Sequence, residues 1–225
     1  MKRLQDRYWS AEGLGGALRE EVHFDGRRML CYSERPADLN ALLADAVARF
    51  PDRPATVEGR RLTYRGFEAE VAALAGGLAA HGIGRGDRVA LFLFNHWEFL
   101  ALVFACARLG AVAVPVGTRQ RRAELEFLLA DCGARLLVFD HDLADAVPDE
   151  GAVPTLKHRF ALGGEAAGAR PFAELAAGHP PVAPASVSEE DIAVILYTSG
   201  TTGRPKGAML THLNVVHSAM TFARC

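Results

Sequence analysis

The sequence predicts an α/β fold, a layered α/β/α sandwich built around a mostly parallel sheet. Short apolar runs of strand length alternate with longer segments whose apolar residues recur at helical spacing. This alternation is typical of strand–helix–strand units joined by right-handed crossovers. With 225 residues, of which 50% are hydrophobic, the chain is also long enough to bury a substantial core.

Two capped helices are predicted near the start of the sheet domain. Asp38 is placed to cap a helix that ends at Phe50, because aspartate side chains accept hydrogen bonds from the first free backbone N–H groups. Thr63 is placed to cap a second helix, which Gly82 ends. The segment 55–64 between the two helices is predicted to form two short strands around a tight turn.

The middle of the chain supplies most of the sheet. Its apolar runs lack polar alternation, which is typical of strands that are covered on both faces in a parallel sheet. Strands are predicted at 87–94, 111–116, 135–139, 191–198 and, more weakly, 155–160, and helices at 97–109 and 122–132.

A proline-rich segment interrupts this rhythm. Residues 178–188, "GHPPVAPASVS", contain three prolines and no apolar periodicity, so they are predicted to form a surface connector. We place a subdomain boundary there. Residues 1–37 are treated as an N-terminal extension without a usable pattern, 38–180 as a first α/β subdomain, and 181–225 as the start of a second, truncated subdomain.

Composition excludes several classes of function. The formal net charge of −2 is spread along the chain without a basic stripe, which argues against a nucleic-acid partner. The four cysteines lie far apart, as expected for reduced thiols, and no secretory signal is evident. The apolar stretch 99–116 is broken by Arg108, Gly110 and Pro115 and is too short to cross a membrane. We therefore expect a cytoplasmic protein without an integral membrane segment.

The chemistry is concentrated in one loop, "YTSGTTGRPKGAMLTH" at residues 197–212, directly after the apolar run "IAVIL". Glycines let backbone N–H groups approach an anion closely, hydroxyl groups add further donors, and a lysine adds positive charge. Such a loop suits a polyphosphate, and its position after a sheet strand is where α/β folds bind ligands. The candidate ligand-binding residues are Thr198, Ser199, Gly200, Thr201, Thr202, Gly203 and Lys206.

Two other interpretations of the loop are rejected. A polar surface turn is the ordinary meaning of such a composition, but eight fixed positions would coincide by chance only about once in 10¹⁰ start points. The Walker A loop requires glycine before the lysine and serine or threonine after it, whereas Pro205 and Gly207 flank Lys206 here.

The end of the chain is predicted to be helical. Thr211 is placed to cap a helix over residues 212–225. His212 and His217 in this segment are too far apart to be i, i+4 neighbours, and no carboxylate or cysteine nearby completes a metal site. We expect both histidines in the core or on the helix surface.

The loop closely resembles the phosphate-binding signature of the AMP-forming acyl-CoA synthetases, the adenylate-forming superfamily. A looser resemblance extends over residues 38–225, including "LTYRGFEAEVAALAGGLAAHGIGRGDRVALFLF" and "AELEFLLADCGARLLVF". The resemblance implies a ligase in which a carboxylate first forms an acyl-adenylate with ATP, and the CoA thiol then displaces AMP. It implies ATP, Mg²⁺ and CoA as cofactors and co-substrates, and a small-molecule carboxylic acid as the substrate.

By the same resemblance, residues 198–206 hold the β- and γ-phosphates, and Thr201 binds Mg²⁺ through its hydroxyl. The family's later motifs, with a magnesium-binding glutamate, a ribose-binding aspartate and an adenylation lysine, do not occur in the 225 residues. We therefore expect an N-terminal portion of an acid–CoA ligase, without catalytic residues beyond the loop and inactive alone. A missing C-terminal portion or a complementing chain would be its partner.

Two alternatives stay open at this point. An adenylation module of a peptide synthetase would use the same first half-reaction and pass the acyl group to a carrier protein. A protein that keeps the loop for nucleotide binding or interaction, without catalysis, would show ATP binding but no acyl transfer.

Overall fold

A computed structural model describes residues 18–57, 59–198 and 204–224. It begins with an antiparallel hairpin of β1 (Leu18–His23) and β2 (Arg27–Tyr32), inside the N-terminal extension. The sequence carries no strand pattern here because the inward side of β1 is charged. Glu21 and His23 point inward, whereas Val22 between them is exposed.

Both predicted helix caps near the start of the domain are confirmed. The Oδ1 atom of Asp38 accepts a hydrogen bond from the Ala41 N–H at 2.8 Å and starts α1 (Leu39–Arg49). The Oγ1 atom of Thr63 accepts one from the Gly66 N–H at 3.1 Å and starts α2 (Tyr64–Ala80). Between these helices, β3 (Pro54–Thr56) and β4 (Leu62–Thr63) pair antiparallel, as predicted.

The central sheet and its covering helices account for most of the chain. The strands are β5 (Arg88–Phe92), β6 (Val112–Pro115), β7 (Leu136–Asp140), β8 (His158–Leu162), β9 (Arg170–Pro171), β10 (Ile192–Thr198) and β11 (Lys206–Thr211). The helices are α3 (Trp97–Leu109), α4 (Arg122–Asp131), α5 (Phe172–Ala176) and α6 (His212–Arg224), with a short 3-10 helix at His141–Ala146.

Among the described residues, these seven strands lie in the order β11-β10-β6-β5-β7-β8-β9. Neighbouring strands are parallel except for β10 and β11, which are antiparallel. Helices cover both faces of the sheet. Successive residues of one strand point to opposite faces, so each strand contacts both layers of helices. Val89 and Leu91 of β5 pack with α1, α2 and α3, whereas Ala90 and Phe92 pack with α4. The predicted α/β/α fold with a mostly parallel sheet is confirmed.

The strand β11 is absent from the sequence prediction. Its first four residues, from Lys206 to Met209, are exposed, so no apolar alternation marks them as a strand. Only its pairing with β10 defines it. Thr211 at its end caps α6 as predicted, because its Oγ1 accepts a hydrogen bond from the Asn214 N–H at 3.3 Å.

The proline-rich connector lies between α5 and β10. Residues 178–188, all of them described, contain no helix or strand. Beyond them the chain rejoins the same sheet, since β10 pairs with β6. The subdomain boundary placed in this connector stays a prediction. Within the described parts of the chain, we find no helix with the length and apolar character needed to cross a bilayer.

Candidate functional site

The candidate site is built on the hairpin of β10 and β11. In the antiparallel register of these strands, Thr198 lies opposite Lys206 and Tyr197 opposite Gly207. Thr198 and Lys206 are both exposed. The structure therefore brings the first and last of the predicted ligand-binding residues together at the mouth of the hairpin. The five others, Ser199, Gly200, Thr201, Thr202 and Gly203, lie outside the described residues.

The mouth of this hairpin opens at the carboxyl edge of the parallel strands. Val194 of β10 pairs in parallel with Ala113 of β6, and β6 pairs in parallel with β5. The end of β10 at Thr198 therefore lies at the same edge as the ends of its parallel neighbours. Open α/β sheets bind ligands at this edge, in the crevice beyond the strand ends.

An open cleft of about 420 Å³ adjoins the hairpin mouth. One wall comes from the first half of α4 and the residues before it, and the other from the ends of β10 and of the loop. The lining residues are Gln120, Ala123, Glu124, Phe127, Tyr197, Thr198, Arg204 and Pro205. The cleft thus combines polar and apolar lining groups, which is the usual composition of a small-molecule site.

The cluster of Glu21, His23 and Cys31 offers metal-ligand atoms within 4.8 Å of one another among the described residues. Its carboxylate is already engaged, because the Arg35 guanidinium contacts both Glu21 oxygens at 2.8 and 2.7 Å. This pairing holds the pKa of Glu21 well below its usual range. His23 contacts Glu21 through Nε2 and Glu190 through Nδ1, which raises the pKa of the imidazole. We assign the cluster as an ion-pair network.

The two histidines of α6 also have structural partners. His212 is fully buried, and its Nδ1 accepts a hydrogen bond from the Leu39 N–H at 3.3 Å. His217 accepts one through Nε2 from the Tyr32 N–H at 3.0 Å, and its ring stacks on that of Tyr32. These contacts attach α6 to α1 and to the N-terminal hairpin.

Sequence reasoning missed one contact beside the loop. The Tyr197 hydroxyl donates a hydrogen bond to Asp131 Oδ2 at 2.5 Å. Asp131 is the last residue of α4, 66 positions earlier in the chain. No periodicity or spacing in one sequence could join two such distant residues, and only the fold brings them together.

Comparison with known proteins identifies the family of the chain. Residues 43–225 match the family model described as AMP-binding enzyme. The chain belongs to this family. Among solved structures, an anthranilate CoA ligase, AuaEII, in complex with anthranoyl-AMP is similar to the chain with a TM-score of 0.74 and 28% sequence identity. The match covers 80% of this chain and 35% of that ligase. The resemblance to the AMP-forming acyl-CoA synthetases is thereby confirmed.

Relatives within the AMP-binding family include CoA ligases. A feruloyl-CoA synthase from Amycolatopsis sp is 42% identical over 159 residues, which make up 70% of this chain and 30% of that protein. The long-chain-fatty-acid–CoA ligase FadD13 of Mycobacterium tuberculosis is 37% identical over 166 residues, or 72% of this chain and 32% of that protein. The chain spans about a third of the length of these relatives.

Proposed function

We propose that residues 198–206 hold the β- and γ-phosphates of ATP in a ligase that joins a small-molecule carboxylic acid to CoA and releases AMP. The observation that carries the proposal is the pairing of Thr198 with Lys206 at the carboxyl edge of the sheet. The register places a residue with a hydroxyl donor opposite a residue with an ammonium group, at the two ends of a glycine-rich loop.

The exposure of both groups supports an anionic ligand. Neither Thr198 nor Lys206 is buried, so a phosphate can reach them without first displacing protein atoms. Charge-assisted hydrogen bonds from lysine to phosphate are about twice as strong as neutral ones. We assign charge neutralisation to Lys206 and orientation to Thr198, and we keep Ser199, Gly200, Thr202 and Gly203 as predicted donors of the same loop.

The proposed reaction needs such a site because a carboxylate has no good leaving group. Transfer of AMP to the acid supplies one, and pyrophosphate departs with developing negative charge that positioned donors stabilise. Mg²⁺, when bound, would neutralise part of this charge. Its predicted ligand, Thr201, lies outside the described residues, so the metal stays an expectation from the family resemblance.

The acid itself is proposed only as a class. The relatives' names specify different acyl groups, feruloyl and long-chain fatty acyl, and the similar structure is an anthranilate CoA ligase. We further propose that the chain is the N-terminal part of the ligase and cannot adenylate an acid alone. Carboxylate-dependent ATP–pyrophosphate exchange by the purified chain, abolished by Lys206→Ala, would overturn this second proposal.

Lys206→Ala tests the binding role directly. Loss of one charge-assisted contact predicts at least tenfold weaker ATP binding by calorimetry, on the basis of about 1.5–3 kcal/mol for a hydrogen bond to a charged group. Lys157→Ala is the matched control. Lys157 is also exposed, but it directly precedes β8 and so lies at the amino ends of the parallel strands, away from the loop. Equal loss in both variants, or no loss in Lys206→Ala, would contradict the proposal.

A further inference from the structure

Tyr197 lies between the described core and the phosphate loop. It directly precedes Thr198, and across the hairpin it pairs with Gly207, the neighbour of Lys206. Tyr197 therefore adjoins both ends of the loop.

The ring of Tyr197 packs against the opposite strand. A Cβ atom built on Gly207 would lie 3.2 Å from Tyr197 Cζ and 2.8 Å from Ile195 Cγ2. A side chain at position 207 would therefore force Ile195 to shift and would crowd the Tyr197 ring, whereas glycine leaves room for both. The two stems of the loop are thus packed together through one side chain.

The hydroxyl of Tyr197 extends this packing to a helix. It donates to Asp131 at the end of α4, and burial together with the carboxylate raises the pKa of Tyr197, so the group stays a donor at neutral pH. Helix α4 is itself anchored in the core, since Leu125, Leu128 and Leu129 are buried on the face of the sheet to which Ala90 and Phe92 point. The hydrogen bond therefore connects the loop stems to a fixed part of the fold.

We propose that Tyr197 and Asp131 are positioning residues that hold Thr198 and Lys206 at the spacing needed for the phosphates. This inference rests on the proposed function of residues 198–206, and it adds two residues that act through the positions of Thr198 and Lys206. Loop stems that are already held at the binding spacing lose less entropy when a phosphate binds, so the pair should increase the affinity.

Tyr197→Phe removes the hydroxyl and keeps the ring. We expect amide hydrogen exchange in β10 and β11 to become at least threefold faster without nucleotide, because the stems lose their link to α4. ATP binding by the same variant should weaken about three- to tenfold, the effect of one hydrogen bond. Its unfolding midpoint should stay close to that of the wild type, since the bond is at the surface.

Two further variants separate positioning from a general loss of structure. Asp131→Asn keeps an acceptor oxygen and should restore nearly wild-type exchange and affinity, whereas Asp131→Ala should match Tyr197→Phe. The double variant Tyr197→Phe/Asp131→Ala should be no worse than either single change, because both break the same bond. Tyr64→Phe, on the opposite face of the sheet, removes the same hydroxyl elsewhere and should change neither measurement.

The two readouts keep the inference and the proposed function apart. If the wild-type chain binds no ATP, the proposed function fails, while the exchange measurement still decides whether the pair holds the stems. If exchange in β10 and β11 is unchanged in both Tyr197→Phe and Asp131→Ala, the positioning role is overturned whatever the affinity for ATP.

Discussion

At the scale of single residues, His212 shows how one buried ring links stability to pH. Its Nδ1 accepts the Leu39 N–H, so the neutral ring carries its proton on Nε2, and that atom has no partner among the described residues. Burial lowers the pKa of His212, and the carboxylates of Asp38 and Asp191 oppose this shift without reversing it. A second proton, on Nδ1, would also point at the Leu39 N–H and break that hydrogen bond.

This arrangement predicts an acid-side loss of stability. In the unfolded chain His212 takes up a proton near pH 6.5, whereas in the folded chain it does so only at lower pH, so the free energy of unfolding falls as pH drops from 7 to 5. His212→Asn keeps an acceptor for Leu39 but cannot titrate. Its unfolding free energy, measured in urea across this range, should fall less steeply, by up to about 1.4 kcal/mol per pH unit.

His158 and His23 remain in that variant, so the comparison isolates His212. Burial lowers the pKa of His158, which adds to the loss on the acid side. The Glu21 carboxylate raises the pKa of His23, whose stabilisation is present below pH 6.5 and is lost as pH rises through its folded value. Identical slopes in the wild type and in His212→Asn would show that His212 is not protected from protonation.

At the scale of elements, the N-terminal hairpin is held by charge. The Arg35 side chain is 7% exposed and joins Glu21 of β1 to Glu189, which precedes β10. The Nη2 atom lies 2.7 Å from the Glu21 carboxylate and 2.8 Å from that of Glu189. The hairpin is therefore tied to the strand that leads into the phosphate loop.

Removing this link should loosen the hairpin. Arg35→Ala removes the guanidinium that Glu21 and Glu189 share. We expect a loss of about 2 kcal/mol in the free energy of unfolding, below the value for a fully buried pair, because Glu189 is 28% exposed and His23 stays beside both carboxylates. Arg28→Ala breaks a pair with Glu20 whose side chains are 77% and 56% exposed, and should cost under about 1 kcal/mol. Equal losses would contradict the assigned role of Arg35.

The β1–β2 and β10–β11 hairpins show which elements could not be predicted from the sequence. Helices such as α1 and α2 and buried strands such as β5 and β7 were predictable, because caps and apolar runs mark them within a few residues. The β1–β2 hairpin was not, since its buried side carries Glu21 and His23 and its partner, Arg35, lies outside any local pattern. Strand β11 is exposed along most of its length and forms only by pairing with β10.

At the scale of the whole molecule, the sheet and the loop could be predicted from the sequence, but the contacts between distant residues could not. Alternating strands and helices define the sheet, and the sheet defines the edge at which the loop begins. The chemistry of the loop could be predicted because its residues are contiguous in the sequence. The contact of Tyr197 with Asp131 depends on α4 and the Tyr197 side chain lying on the same side of the sheet, which no local pattern encodes.

The central claim is that the loop binds the phosphates beyond the α-phosphate of ATP. The most direct test is competition calorimetry on the intact chain, with ATP bound first and then inorganic pyrophosphate or AMP added. Pyrophosphate carries the groups that Lys206 and the loop are proposed to contact, so it should displace ATP, whereas AMP at the same concentration should not. Displacement by AMP as effective as that by pyrophosphate would contradict the claim and place the main binding contacts elsewhere.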